Sequence, residues 1–348
     1  MRHWTEVARA WSPRAGFHRI LAVDAHAAGE PLRVVLDGFP DLHGDTILAR
    51  RRDARARHDH LRTALMWEPR GHPDMYGCLV VPPVTPGADL GVLFTHNEGY
   101  STMCGHGIIG VTTVVLELGL VERWEGDNRV GIDTPAGFVE AWGRVEGGRV
   151  TSVSFVNVPS FMTVLDRSVD VPGLGTVRYD VAFGGAFYAF VDARALGLEL
   201  EPREVGRLIE TGRAIKAAVS KSDPPRHPLD ADLGFLYGTI FLGPAHDARN
   251  HSRNVCVFAD GEVDRSPTGT GVSARLALHH ARGELAVGED IVVESILGTT
   301  FGGRVVGTTR VGPHDAVIPR VSGSAHVTGR SEFFLDPDDP LRDGFLLR

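Results

Sequence analysis

Two stretches of this chain are apolar nearly all round: about His106 to Leu118 (HGIIGVTTVVLEL) and about Thr270 to Arg282 (TGVSARLALHHAR). A helix without a polar face has to sit inside other structure rather than on a surface. Each stretch opens after a glycine-rich turn and stops at a glycine, Gly119 or Gly283, where a helix C-cap favours one. Laid over each other, Cys104-Gly105-His106-Gly107 faces Thr268-Gly269-Thr270-Gly271 at an offset of 164 residues, and Gly119 meets Gly283 at the same offset. Between them run short, β-branched, often alternating segments: Arg33 to Leu36, Gly91 to Phe94, Thr151 to Val156, Val181 to Phe190, Val255 to Ala259 and Ile291 to Ile296. These predict strands. The expected class is α+β: two pseudo-symmetric lobes, each a curved, mainly antiparallel sheet around a central helix, with both helix N-termini facing one cleft.

Charge narrows the function. The 348 residues carry 36 Lys+Arg against 44 Asp+Glu, a net −8, which argues against a nucleic-acid or anionic-membrane partner. No apolar run approaches the ~18 residues that span a bilayer. The first residues hold no uninterrupted apolar core with a cleavage site, so a secretory signal is not expected. Three cysteines, Cys78, Cys104 and Cys256, read as reduced thiols of a cytoplasmic protein. Residues 1 to about 16 look like an extension without a core role. Ser222 to Asp232 (SDPPRHPLDAD) reads as a loop, and Ala49 to His60 (ARRRDARARHDH) as a solvated face.

MCGHGIIG contains G-x-G-x-x-G from Gly105 to Gly110. A dinucleotide site needs a parallel βαβ unit and an acid about 20 residues on. The following GLVERWEGDNRVG looks like a turn instead, so no nucleotide cofactor is expected. The same residues suit another chemistry. Cys104 at a helix head meets orphan N–H groups and the positive end of the helix dipole, which favour a thiolate. The bare backbone at Gly105 and His106 can approach a carboxylate. The alternative is a small buried hydrophobe, the expected state of Cys78 and Cys256. DRSPTGTG repeats the arrangement, with Thr268 at the head and open amides at Gly269 and Thr270. Asp264 adds an acid suited to an ammonium, unless Asp264 to Pro267 is only a turn and N-cap. His58 with His60, and His279 with His280, lack a partner at ligand spacing, so no metal is expected.

MCGHG and DRSP-x-GTG resemble the proline racemase family, which includes hydroxyproline epimerases and trans-3-hydroxy-L-proline dehydratases. VDAHAAGEPLRVV (Val23 to Val35), GGAFYAFVDA (Gly184 to Ala193) and HSRNVCVFADGEVDRSPTGTGVSAR (His251 to Arg275) fit it too. The resemblance implies a diaminopimelate-epimerase-like fold and cofactor-free chemistry on a small imino acid. It implies lobes of 17–135 plus about 320–348, carrying Cys104, and 136–319, carrying Asp264 and Thr268. It places the catalytic thiol at Cys104 and carboxylate-binding amides at Gly105, His106, Gly269 and Thr270. The amine-binding acid falls on Asp264, with His106 near the substrate nitrogen. Asp24, His26 and Glu30 fall toward the cleft. A homodimer is the expectation for such folds.

Racemases and epimerases carry a second cysteine where this chain has Thr268. Inverting an α-carbon takes a base on one face and an acid on the other, and a threonine hydroxyl is too weak for either part. One thiol suffices for elimination. In trans-3-hydroxy-L-proline the hydroxyl shares a ring face with the α-hydrogen, so Cys104 alone could take the proton and help the hydroxyl leave. The Cys/Thr pair is the pattern of the dehydratases in that family. A proline or hydroxyproline isomerase, and a non-catalytic imino-acid binder, are the other readings.

Overall fold

A computed structural model of the chain describes residues 2–347. Helix α1 (Arg2–Ala10) is exposed, and Trp11 just beyond it makes an edge contact with Phe334. Strands β1 (His18–Ala27) and β2 (Glu30–Asp37) form a hairpin closed by Ala28-Gly29. Both turn residues have positive φ, 52° and 99°, as the tightest hairpins require. Helices α2 (Ile47–Arg57) and α3 (Asp59–Met66) follow, then β3 (Gly77–Val81), β4 (Leu90–Thr95) and the first central helix, α4 (Gly105–Glu117). Three antiparallel strands come next: β5 (Gly126–Thr134), β6 (Gly137–Glu146) and β7 (Arg149–Val156).

The second part repeats this order. It runs β8 (Ser160–Val171), β9 (Gly175–Phe183), β10 (Phe187–Asp192), α5 (Val205–Ser222), β11 (Leu236–Gly243), β12 (Ser252–Phe258) and the two-residue β13 (Glu262–Val263). The second central helix, α6 (Gly269–Ala281), leads to β14 (Asp290–Glu294), β15 (Thr300–Val311), β16 (His314–Gly323) and β17 (Ala325–Leu335).

The ladders carry the repeat further than the glycines did. Strands β17, β1 and β2 pair antiparallel, β2 with β3 parallel, β3 with β4 antiparallel, β4 with β5 parallel, and β5, β6 and β7 antiparallel. The set β8-β9-β10, β11-β12, β14-β15-β16 has the same alternation, with parallel joints at β10–β11 and β12–β14. Strand β16 pairs with β8 within its own set and with β7 of the other, which joins the two.

The expected α+β architecture is therefore present. Every residue of α4 from Gly105 to Leu116, and of α6 from Gly269 to Leu278, is buried. Helix α4 packs on β1, β2, β6, β7 and β17, and α6 on β8, β9, β10, β15 and β16. Both helices end the same way. The N–H groups of Gly119 and Leu120 reach back to Leu116 and Val115, and those of Gly283 and Glu284 to His280 and His279, the pairing of a glycine C-cap.

Some expectations need correction. Val181 to Phe190 is not one strand: it turns at Gly184-Gly185-Ala186 between β9 and β10. A Cβ on Gly184 would lie 2.1 Å from the Thr270 carbonyl oxygen, so that turn presses its bare backbone onto the head of α6. The Val255 to Ala259 strand stops at Phe258, because Ala259 turns at φ 47°. The run Ala49 to His60 is not wholly solvated. Arg51 is buried in α2 and its guanidinium donates twice to the Tyr100 carbonyl, at 2.6 and 3.1 Å. Ser222 is the last residue of α5 rather than the start of a loop. Among the described residues no helix is long and apolar enough to cross a membrane.

Candidate active site

The two helix heads touch backbone to backbone. A Cβ on Gly105 would lie 2.5 Å from Gly269 Cα, and one on Gly269 would lie 2.7 Å from Gly105 Cα. No side chain fits between them, which fixes both residues as glycine. First-turn N–H groups have no acceptor within their own helix, so the open amides of α4 and α6 converge on one point. The G-x-G-x-x-G spacing is spent on packing. A Cβ on Gly107 would strike Phe94, and one on Gly110 would strike Leu32, both at 2.5 Å. Strands β4 and β5 do pair parallel around α4, over two residue pairs, but the glycines lie within the helix rather than in a phosphate-binding turn.

A small cavity of about 10 Å³ lies at this junction, about the room one water needs. Cys104, Gly105, His106, Asp264, Thr268, Gly269 and Thr270 all line it. The structure thus brings these seven residues to one place. Asp24 and His26 are elsewhere: Asp24 pairs with Arg33 at 2.8 Å and His26 lies against His326. Glu30 is buried behind the site, where its carboxylate accepts the Arg265 N–H at 2.7 Å.

Cys104 is the N-cap of α4, and its sulfur accepts the Gly107 N–H at 3.3 Å. The nearer ring nitrogen of His106, Nδ1, lies 3.1 Å from that sulfur. The helix head does not leave the thiol acidic. Burial pushes its pKa well above the ordinary value, and the Asp264 and Glu30 carboxyls add to the rise against the lowering pull of the Tyr76 hydroxyl and the Gly107 N–H. Desolvation outweighs the dipole here. Burial also drives His106 down to about 3, so its imidazole is neutral. Cys78 and Cys256 are free and fully buried, with pKa values raised by burial.

Opposite Cys104, Thr268 heads α6 with φ 64° and ψ 91°. A β-branched residue there is strained and persists only where its surroundings impose it. Ser266 supplies part of that restraint, its hydroxyl accepting the Thr268 N–H at 3.1 Å. The Thr268 hydroxyl is buried, borders the cavity and lies within reach of the Asp264 carboxyl, whose pKa it pulls down against the effect of burial. Asp264 accepts the Ser266 N–H at 2.7 Å, and burial raises its pKa to about 6. Thr270 is held by the Tyr188 hydroxyl at 2.7 Å.

Five lining residues escaped the sequence reading: Tyr76, Met103, Tyr188, Tyr237 and Phe258. The tyrosines left a usable signal. Of the chain's five, these three sit in or beside apolar strands, where a buried hydroxyl needs a partner.

Comparison with known proteins fits this geometry. The proline racemase family model matches residues 22–346. The chain belongs to the proline racemase family. It is 46% identical over 97% of its length to a trans-3-hydroxy-L-proline dehydratase of Colwellia psychrerythraea, covering 96% of that protein. It is 49% identical over 94% of its length to a 3-hydroxyproline 2-epimerase of Burkholderia multivorans, covering 97% of it. The crystal structure of a hydroxyproline epimerase from Agrobacterium vitis with bound trans-4-hydroxy-L-proline superposes with a TM-score of 0.92 at 34% identity, each chain covered to 96%.

Proposed function

We propose that this protein is a trans-3-hydroxy-L-proline dehydratase that works without a cofactor, removing water to give Δ1-pyrroline-2-carboxylate. The observation that carries the reading is the unequal pair at the helix heads: a thiol at Cys104 faces only a hydroxyl at Thr268. Relatives named trans-3-hydroxy-L-proline dehydratase support it, among them the Colwellia protein and a human one that is 47% identical over 94% of each chain.

In this reading the substrate carboxylate takes the open amides of Gly105, His106, Gly269 and Thr270, which also stabilise the charge that develops when the α-proton leaves. The ammonium pairs with Asp264, beside His106. Binding then activates the thiol. Burial is the larger cause of the raised Cys104 pKa, but a cation next to Asp264 offsets the part that the Asp264 carboxyl adds, and so shifts the thiol toward the thiolate when substrate is present. The thiolate takes the α-proton and the 3-hydroxyl leaves from the same ring face. Thr268 cannot deliver a proton to the other face, so elimination outruns inversion. The small cavity has to open for substrate to enter and product to leave.

The lobes are proposed to meet after Val156 and before Ala325, rather than at 135/136 and 319/320. The earlier boundaries would split the β5–β6 hairpin, which pairs along its whole length, and cut through β16. A cytoplasmic homodimer is also proposed, for which light scattering of the purified protein is the check on assembly.

Proton NMR in deuterated water with trans-3-hydroxy-L-proline, trans-4-hydroxy-L-proline and L-proline tests the reading. Conversion of the first to the pyrroline, without inversion of the other two, is the expected result. Inversion of the 4-hydroxy compound would replace the dehydratase with a 4-hydroxyproline 2-epimerase, the name borne by a Streptosporangium roseum relative that is 48% identical.

A further inference from the structure

We propose that Tyr76 is the acid that protonates the departing 3-hydroxyl, an inference that rests on the dehydratase reading above. Five hydroxyl-bearing side chains line the cavity: Tyr76, Tyr188, Tyr237, Thr268 and Thr270. Thr268 and Thr270 belong to the head of α6, and Tyr188 is engaged with Thr270. Only Tyr76 and Tyr237 remain free of that helix head, and their hydroxyls lie 3.5 Å apart. Tyr76 is the one on the Cys104 side. Its ring packs edge-on against His106, with centroids 4.7 Å apart, and its hydroxyl is close enough to the Cys104 sulfur to stabilise the thiolate.

The ring is held firmly. It stacks on His96 and touches Phe94 and Phe258, and its carbonyl accepts the Arg33 N–H at 2.9 Å. Burial keeps the phenol protonated, as a proton donor must be. The His106 Nδ1 atom already faces the sulfur, which leaves the tyrosine as the donor for the neighbouring carbon.

The step balances without a co-reactant. The Cα–H bond breaks and an S–H bond forms on Cys104. The C3–O bond breaks, its electron pair leaves on oxygen, and that oxygen takes the Tyr76 proton to become water. The Tyr76 oxygen then recovers a proton from the Cys104 thiol, which restores the thiolate. The Tyr237 hydroxyl, 3.5 Å away, can turn its O–H toward the transient phenolate once Tyr76 has given up its own proton. A relay of this kind spares the sulfur from serving two atoms on adjacent carbons.

The test compares two leaving groups in Tyr76→Phe. General acid catalysis contributes about 10²–10⁴-fold, so kcat for trans-3-hydroxy-L-proline should fall at least 100-fold, on the order of the lower limit. Trans-3-fluoro-L-proline expels fluoride, which needs no proton to leave, and its turnover should fall far less. Tyr237→Phe should show the same split with a smaller loss, and it keeps the proposal testable if Tyr76→Phe does not fold. Equal losses for both substrates would make Tyr76 a structural or Cys104-positioning residue and overturn the proposal. So would a kcat for the hydroxy substrate that stays near wild type. Wild-type protein that eliminates neither water from the hydroxy compound nor fluoride from the fluoro compound would refute the dehydratase reading itself, a different outcome from either.

Discussion

Asp264→Asn should make the protein more stable at pH 8 and inactive at every pH. The carboxyl is buried and its pKa stands at about 6, against an ordinary value of 3.8. A carboxyl raised in the folded state binds its proton more tightly there than in the unfolded chain. Native stability from this group is therefore fully present below the unfolded pKa and is lost as pH climbs through about 6. A rise of roughly two units at 1.36 kcal/mol each makes the loss about 3 kcal/mol. Asparagine carries no charge, so the variant escapes this loss. Its amide oxygen can still accept the Ser266 N–H, but its NH2 lacks a defined acceptor, a cost of about 1 kcal/mol. Urea unfolding should then find the variant about 1 kcal/mol less stable than wild type at pH 3 and about 2 kcal/mol more stable at pH 8. A gap that stays constant between those pH values would refute the reasoning, since it would mean that Asp264 ionises alike in both states. In the wild type, kcat/KM should fall below about pH 6 as the acid that faces the ammonium becomes neutral.

Cys104→Ser should abolish both dehydration and deuterium exchange at the α-carbon, read by proton NMR, while thermal unfolding changes little, because serine is itself a good N-cap. Thr268→Cys should add slow inversion of hydroxyproline, detected by chiral chromatography of the recovered substrate. Gly105→Ala sets a Cβ against the backbone of Gly269 and Thr270, at 2.5 and 3.0 Å. It should cost about 3 kcal/mol by urea denaturation and most of the activity, since the helix heads have to part. Leu116→Ala empties a fully buried position on α4 and should cost about 2–5 kcal/mol without touching the cavity.

The central helices were legible because apolar residues all round a helix admit one environment, and because Gly119 and Gly283 mark their ends at one offset. The seven site residues were legible because their chemistry is tied to helix heads that local sequence defines. Tyr76 was not, since it comes from a segment 28 residues before Cys104 and meets it only through the β2–β3 and β3–β4 ladders. Helix α5 carries a helical pattern at Leu208, Thr211, Gly212, Ile215 and Val219, all buried, but a threonine and a glycine dilute it. Gly212 is there for contact: a Cβ would lie 2.7 Å from Val257. The thiol pKa was misjudged for a different reason. The dipole of a helix can be read from letters, whereas desolvation depends on everything that closes over the site.

The contact of Gly105 with Gly269 bears on what a single chain can hold. The two strand sets share one pairing order, and their equivalent glycines meet where the sets join, so an approximate two-fold axis passes through the candidate site. A half-length chain would hold only half of the converging amides and would complete them by pairing with its own copy. Such a symmetric pair must carry the same residue at both helix heads, two thiols or two hydroxyls. Cys104 opposite Thr268 is an inequality that a half-length chain paired with its own copy cannot hold, and that a single chain carrying both helix heads can. Chemistry that needs one thiol and one silent partner is therefore open to a chain that carries both halves and closed to a self-paired half.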